Sequence, residues 1–208
     1  MNNFKLIDSN INVDPFLLEL EYYLTNHTWG DYRAKTIKVL KNTECISLRD
    51  GIVNNIFEKQ KTSFEELIDS EDDEINIYNY VYFKNTYKYL EEFADSLGGQ
   101  LSLAMIVNLP PREKVFPHFD EGEYYKTRDR YHLPIKTKGS INICNGETQE
   151  YKTGELWWFN NKKMHEAYNN SDEDRIRIIF DVLPEKRNFL KRLVDYTQKY
   201  RLMISHRT

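Results

Sequence analysis

The chain has 208 residues, of which 40% are hydrophobic and 30% are charged, and this composition is typical of one globular domain with a substantial core. Its formal net charge is −4, so it has no basic excess of the kind that neutralises phosphates, and we expect no nucleic-acid partner. Aromatic residues make up 14% of the chain. This favours a protein rich in β-sheet, because these side chains have high strand propensity.

The first residues do not contain the apolar core of a signal sequence, and no apolar run in the chain approaches the ~20 residues that span a bilayer. The two cysteines, Cys45 and Cys144, are far apart and lie outside any C-x-x-C motif. Together these features predict a cytoplasmic protein with free thiols and no membrane partner.

Residues 1–99 are predicted to form a helix-rich N-terminal part that packs on the rest of the domain. Asp14 and Pro15, followed by an amphipathic run, predict a helix that is capped by the aspartate and has the proline in its first turn. Residues 36–49 are predicted to be extended. A second helix is predicted over residues 86–97, where apolar residues recur at helical spacing before a pair of glycines ends the pattern.

After this point the pattern changes to short apolar segments with turn residues between them. The segments are residues 101–107, 131–135, 140–144, 156–159 and 175–183. Many short strands at this spacing favour a sandwich or a barrel. We therefore predict a single domain, 1–208, that is mainly β with flanking helices. Its catalytic core, 100–183, is predicted to be a double-stranded β-helix (jelly roll), followed by a C-terminal helix over 184–208.

The residues with the clearest chemical meaning are His118, Asp120 and His165. The first two are separated by one residue, so on an extended segment both side chains point to the same face and can reach one ion. Two imidazoles and one carboxylate are the ligand set of a non-haem Fe(II) site that leaves coordination positions open. Ligand type alone also fits manganese, cobalt or zinc.

An arginine pair follows the second histidine in the longest predicted strand. Strand alternation places Arg175 and Arg177 on the same face, opposite a row of apolar side chains. A guanidinium inside a β core is costly unless an anion pairs with it, and a bound dicarboxylate would provide that anion. The alternative is that Arg175 lies at the start of the strand, in water or paired with Asp172 or Asp174. The pattern alone does not choose between the two arginines.

Five short segments of this region are similar to one known family, in the same order and at the same spacing. They are Pro117-His118-Phe119-Asp120, Arg130-Tyr131-His132-Leu133, Gly154-Glu155-Leu156-Trp157-Trp158-Phe159, His165-Glu166-Ala167-Tyr168-Asn169-Asn170-Ser171 and Asp174-Arg175-Ile176-Arg177. The region from about residue 109 to residue 183 thus resembles the aspartyl/asparaginyl β-hydroxylase family of Fe(II)/2-oxoglutarate-dependent dioxygenases, which are cupin-like proteins.

The resemblance implies a role for six residues of this chain. It implies that the catalytic metal ligands are His118, Asp120 and His165. It implies that Arg175, rather than Arg177, binds the distal carboxylate of 2-oxoglutarate, and that Arg130 and His132 lie near the cosubstrate and the substrate. The cofactors implied are Fe(II), 2-oxoglutarate as cosubstrate, and O₂.

The activity implied is hydroxylation of an unactivated C–H bond of an amino acid or a peptidyl residue, with release of succinate and CO₂. The partner would be a small-molecule or peptide substrate. Basic residues near the mouth of the barrel could recognise it, and the candidates are Arg49, Arg112 and Arg128. Two other readings stay open at this point. One is a different metal-dependent cupin-type enzyme, a hydrolase or an isomerase, and the other is a non-catalytic jelly-roll binding domain.

Overall fold

The computed structural model describes residues 2–49 and 77–184. The helices are α1 (Asp14–Leu24), α2 (Tyr32–Thr36), a short 3-10 helix (Lys38–Leu40), α3 (Ile77–Tyr80), α4 (Lys84–Ser96) and α5 (Glu123–Thr127). The strands are β1 (Phe4–Asp8), β2 (Glu44–Arg49), β3 (Gly99–Leu109), β4 (Lys114–His118), β5 (Asp129–Lys136), β6 (Ser140–Cys144), β7 (Glu147–Glu150), β8 (Leu156–Phe159), β9 (His165–Asn169) and β10 (Arg175–Pro184).

The strands form two antiparallel sheets. The major sheet has six strands in the order β1-β8-β5-β10-β3-β2, and the minor sheet has four in the order β4-β9-β6-β7. This arrangement is the double-stranded β-helix with flanking helices that the sequence predicted. The two edge strands of the major sheet, β1 and β2, come from the region before Gly99. The predicted domain limits stay a prediction, and the predicted helix over 184–208 lies outside the described residues apart from Pro184, which ends β10.

The N-terminal predictions need two corrections. Residues 36–49 are not one extended segment, because a 3-10 helix follows α2 and the strand begins only at Glu44. Helix α1 lies where it was predicted, with Pro15 in its first turn, but its N-cap residue is Val13 and not Asp14. Asn12 acts in place of the predicted cap, since its side-chain oxygen accepts the amide N–H of Asp14 at 3.1 Å.

The largest apolar cluster lies between helices α1 and α4 and the outer face of the major sheet. It joins residues of α1, α4 and the central strands, including Phe16, Leu20, Tyr87, Leu90, Ala94, Ile106, Leu133, Ile178 and Phe180. A smaller cluster closes the space between the two sheets with Phe4, Cys144, Tyr151, Trp157 and Phe159. Burial of this apolar surface is the main stabilising contribution to the fold. Among the described residues, no helix is both long enough and apolar enough to cross a membrane.

Strand β10 divides its side chains between two environments. Its even-numbered residues Ile176, Ile178, Phe180 and Val182 all belong to the outer apolar cluster. Arg175, Arg177 and Ile179 instead line a cavity between the sheets. The predicted alternation is therefore confirmed, and it follows from the period of two that a pleated strand imposes. One strand thus contributes to both the core and the interior of the barrel.

A carboxylate of α1 caps the start of helix α4. The N-cap residue of α4, Phe83, provides no side-chain hydrogen bond. Glu19 replaces it, because its two carboxylate oxygens accept the backbone N–H groups of Asn85 and Thr86 at 2.6 and 3.0 Å and the Thr86 hydroxyl at 2.8 Å. The negative charge also lies at the positive end of the helix dipole. Glu19 therefore joins the two helices that cover the sheet.

We expect Glu19→Gln to lower the free energy of unfolding by about 1–2 kcal/mol, because a cap and a favourable helix-dipole interaction are both weakened. Urea unfolding followed by circular dichroism measures this change. The matched control is Glu21→Gln, an exposed residue of the same helix, which should change the stability by less than about 0.5 kcal/mol. Equal losses in the two variants would contradict the capping role.

Candidate metal centre

The two histidines of the predicted ligand set are neighbours across the minor sheet. His118 is the last residue of β4, and His165 is the first residue of β9. They are paired in the antiparallel register, and their ring centroids lie 4.1 Å apart. Asp120 follows two residues after the end of β4. One side-chain nitrogen or oxygen of each of the three residues lies within 4.8 Å of the others, so these atoms can reach a single ion.

Both imidazoles are held so that the same nitrogen is free. Nδ1 of His118 donates to the backbone oxygen of Phe116 at 2.7 Å, and Nδ1 of His165 donates to that of Lys163 at 2.8 Å. A carbonyl oxygen only accepts, so each Nδ1 must carry the proton. Nε2 of each neutral ring is then left with its lone pair, as a metal ligand requires.

The carboxylate of Asp120 is also oriented by its neighbours. Its Oδ2 accepts hydrogen bonds from Nη1 of Arg130 at 2.6 Å and from the side-chain amide of Asn161 at 2.9 Å. Its Oδ1 lies 3.9 Å from Nε2 of His118. Because Oδ2 has two donors, Oδ1 is the oxygen that remains for a metal, and the three groups fit a divalent ion with a 2-His-1-carboxylate ligand set.

Arg130 links this carboxylate to the major sheet. Its Nε and Nη2 donate to the two oxygens of Asp181 at 2.8 and 2.9 Å, as a bidentate fork. Burial alone would lower the pKa of Arg130, but the carboxylates of Asp181 and Asp120 raise it well above its usual value. The guanidinium is therefore charged, and its described hydrogen bonds go to these two carboxylates.

The protonation states of the ligands suit metal binding. Burial tends to raise the pKa of Asp120, but the charge of Arg130, the two histidines and the hydrogen bond from Asn161 outweigh it, so the pKa is lowered. Burial lowers the pKa of His165 to about 4, despite the nearby charge of Asp120. At neutral pH the site therefore holds a carboxylate and a neutral imidazole, which are the forms that bind a metal.

Two further guanidiniums are buried in the same cavity without a carboxylate. Arg177 donates to the side-chain oxygens of Asn142 at 2.8 Å and Ser140 at 2.7 Å. Arg175 makes one weak contact, from Nη1 to the Ser140 hydroxyl at 3.4 Å, and its buried Nε has no partner among the described residues. Burial lowers the pKa of Arg177 to about 10, and burial together with Arg177 pushes that of Arg175 well below its usual value.

His132 lies beside these arginines as a neutral ring. Its Nδ1 is 3.2 Å from Nη1 of Arg177. Since arginine only donates, this nitrogen accepts. Burial lowers the pKa of His132 well below its usual value, and the charges of Arg177, Arg130 and Arg175 lower it further.

The structure brings six of the predicted site residues into one cavity between the sheets. Its walls include His118, Asp120, Arg130, His132, His165 and Arg175. Apolar side chains complete the lining, among them Val107, Val115, Phe159 and Ile179. A polar set enclosed by apolar walls is typical of a small-molecule site.

The three arginines predicted to recognise the substrate do not line this cavity. Arg112 is exposed and paired with Asp172, with Nη2 2.7 Å from the carboxylate oxygen. Arg128 lies over the ring of Tyr124, 4.1 Å from its centroid. Arg49 is the half-buried last residue of β2. None of the three is among the described lining residues of this cavity or of the larger one beside it, so their role in binding stays a prediction.

Comparison with known proteins shows the family of this chain. A family model described as aspartyl/asparaginyl beta-hydroxylase matches residues 67–184, which is more than half of the sequence. The chain belongs to the aspartyl/asparaginyl β-hydroxylase family. This confirms the resemblance seen in the sequence. No curated protein matches the chain.

Two solved structures are similar to this chain at low sequence identity. An oxidoreductase of the 2OG-Fe(II) oxygenase family from Burkholderia pseudomallei has a TM-score of 0.57 and 8% identity, over 88% of this chain and 85% of that chain. A predicted oxalate decarboxylase from Thermotoga maritima has a TM-score of 0.34 and 17% identity, over 45% of this chain and 73% of that chain. At these identities the first likeness shows the fold alone, and the second carries no argument.

Sequence reasoning missed several residues that shape the site. Asn161, which binds Asp120, lies in no motif. Asp181 lies on β10, and nothing in the sequence paired it with Arg130. Arg33 also lines the metal cavity, and it comes from α2, in a region predicted to contribute only packing. Each of these contacts joins residues far apart in the chain, so strand pairing had to be known before they could be found.

We expect His165→Ala to weaken the binding of Co(II) at least a hundredfold, because it leaves only two ligands for the ion. Titration of the metal-free protein, followed by the visible absorption of bound Co(II), measures the dissociation constant. His27→Ala is the control, since this histidine stacks on Tyr23 of α1 with ring centroids 4.4 Å apart and is not among the residues that line the cavity. Unchanged Co(II) affinity in the His165 variant would refute the proposed ligand set.

Proposed function

We propose that this protein is an Fe(II)- and 2-oxoglutarate-dependent hydroxylase of an amino acid or a peptidyl residue. The observation that carries the proposal is the charge arrangement of the metal cavity. An oriented ligand set for a divalent metal lies in the same cavity as two buried guanidiniums that have no carboxylate partner. This combination fits a metal that shares its site with a dianion.

The metal would be held by Nε2 of His118, Nε2 of His165 and Oδ1 of Asp120. Three protein ligands would leave coordination positions open, where the cosubstrate could bind. Bound iron and 2-oxoglutarate would supply, with O₂, the oxidising chemistry that converts a C–H bond to an alcohol and releases succinate and CO₂. Arg130 would keep Asp120 ionised and fixed in orientation through its bond to Oδ2.

We propose 2-oxoglutarate as the cosubstrate because Arg175 and Arg177 have no carboxylate partner among the described residues. A 2-oxo dicarboxylate can bind the metal through one end and a guanidinium through the other. Nε of both arginines is unpartnered among the described residues. Arg175 is better suited to that role than Arg177, because Arg177 already donates to Asn142 and Ser140, whereas Arg175 makes only a weak contact with Ser140 at 3.4 Å. A carboxylate at Arg175 would satisfy a buried donor and offset the cost of burying the charge.

The apolar residues of the cavity have a role in the same reaction. Val107, Val115 and Ile179 line the cavity together with the metal ligands and the arginines. Phe159 packs edge-on against His165, with ring centroids 4.8 Å apart. Apolar walls would exclude water, so that oxidation is directed at a bound substrate. They would also strengthen the electrostatic interactions inside the cavity.

A cupin-type hydrolase or isomerase would use the same metal ligands but does not need two uncompensated guanidiniums. The deciding experiment reconstitutes the protein with Fe(II) under anaerobic conditions, then supplies 2-oxoglutarate, O₂ and ascorbate with a panel of amino acids and peptides. We expect succinate release that requires both Fe(II) and 2-oxoglutarate. Turnover of a substrate without 2-oxoglutarate would favour the hydrolase or isomerase, and failure to bind metal at all would favour the non-catalytic domain.

We expect Arg175→Gln to raise the KM for 2-oxoglutarate about tenfold to a hundredfold, because a charge-assisted fork is lost. The measurement is succinate release at varied 2-oxoglutarate, with metal affinity and thermal unfolding checked in the same preparations. Arg177→Gln, on the same face of β10, should raise the KM less. A larger effect at Arg177 than at Arg175 would reverse the assignment of the carboxylate-binding residue.

A further inference from the structure

A second, larger cavity lies beside the metal cavity and is not explained by metal or cosubstrate binding. Its volume is about 280 Å³, against about 80 Å³ for the cavity that contains the metal ligands. It is bounded by α2, β2, β3 and α5, and its walls include Tyr32, Arg33, Ile37, Leu103, Met105 and Tyr125. The size suits a small molecule rather than a length of folded polypeptide.

The two cavities meet at Arg33, whose side chain lines both. Along one face of β3, Leu103 and Met105 line the second cavity, and Val107 lines the metal cavity. These three side chains form one continuous surface along both cavities, because alternate residues of a strand share a face. A ligand in the second cavity would reach the metal ligands past the guanidinium of Arg33.

A second contact joins this cavity to the metal ligands. The ring of Tyr125 lies beneath the guanidinium of Arg130, 5.1 Å from its centroid, and Arg130 holds Asp120 at 2.6 Å. The wall of the second cavity is thus one side chain away from the arginine that orients a metal ligand. A molecule bound here lies next to the reaction site rather than on a remote surface.

Arg33 is a cation without an anionic partner. Among the residues that the structure describes, its hydrogen-bond partner is the thioether sulfur of Met105, which faces Nη1 and is a weak acceptor. No described carboxylate lies within ion-pair distance of it. It is also the single charged residue among the described lining residues of this cavity. A half-buried guanidinium with five donors and a sulfur for a partner is well placed to bind an anion.

We propose that this cavity binds the substrate, and that the substrate is an apolar molecule with one carboxylate that Arg33 binds. The inference rests on the proposed hydroxylase function and names its substrate class. The apolar body would lie against Ile37, Leu103 and Met105, and the carboxylate would lie at the junction of the cavities. Because no acidic side chain is among the described lining residues, a free ammonium group is not needed for binding. An N-acylated apolar amino acid has the required chemistry.

The test compares carboxylates with their uncharged amides on the Fe(II)- and 2-oxoglutarate-loaded protein under anaerobic conditions. The probes are N-acetyl-L-leucine, hexanoate and phenylacetate, each with the matching amide, and isothermal titration calorimetry gives the dissociation constants. We expect at least one carboxylate to bind about tenfold to a hundredfold more tightly than its amide. Arg33→Gln should remove this preference, and Arg33→Lys should restore part of it.

The matched control is Lys35→Gln, which removes a positive charge from the solvent side of the same helix, where Lys35 pairs with Asp31 at 2.9 Å. This variant should keep the preference for the carboxylate. The proposal is overturned if no carboxylate is preferred to its amide, or if Arg33→Gln retains the preference.

Succinate release by the unmodified protein, measured in parallel, separates this inference from the proposed function. Turnover of 2-oxoglutarate without carboxylate preference would overturn the substrate class and leave the hydroxylase proposal standing. Carboxylate binding that depends on Arg33, in a protein that never consumes 2-oxoglutarate, would leave the binding site standing and reject the hydroxylase.

Discussion

The buried bridge from Asp120 through Arg130 to Asp181 is the interaction on which the site depends. Asp120 follows a strand of the minor sheet, while Arg130 and Asp181 lie on adjacent strands of the major sheet. The bridge therefore fixes a candidate metal ligand relative to the opposite wall of the barrel. An isolated buried charge is expensive, but here two carboxylates share one guanidinium through short, well-oriented hydrogen bonds. The same contacts leave Oδ1 of Asp120 available for an ion.

The distribution of charge in the barrel explains why one region suits metal and another suits ligands. Near the metal ligands, Asp120 and Asp181 share the single positive charge of Arg130, which leaves one net negative charge beside a cation. Further along the cavity, Arg175 and Arg177 have only neutral partners, and Arg33 has a thioether. Burial disfavours the charged form of an arginine, and a bound anion stabilises that form. The fold therefore keeps a positive field where two anionic molecules would bind.

Much of the fold was accessible from the sequence because the relevant signals are local. Strand alternation placed the apolar residues of β10 on the outer face and the arginines inside, and the H-x-D spacing located two ligands of the candidate site. Strands β1 and β7 were not predicted, since they are short and carry weak apolar patterns. The roles of Asn161, Asp181 and Arg33 were also missed. Each acts through a partner distant in sequence, so only the register of the sheets could reveal it. Which residues line a cavity also depends on contacts distant in sequence. The predicted substrate arginines were therefore chosen from loops, whereas Arg33, which lines both cavities, lies on α2.

Strand β10 links the stability of the fold to the geometry of the cavity, because it carries side chains of both. The strand is the central partner of β3 and β5, and its outer residues belong to the main apolar cluster while its inner residues carry both guanidiniums. Repacking of the outer layer would shift the arginines as well, because they share one backbone. Substitutions at Ile178 or Phe180 that change the melting temperature would thus also move the two arginines, and with them the proposed cosubstrate site, without changing a residue that lines the cavity.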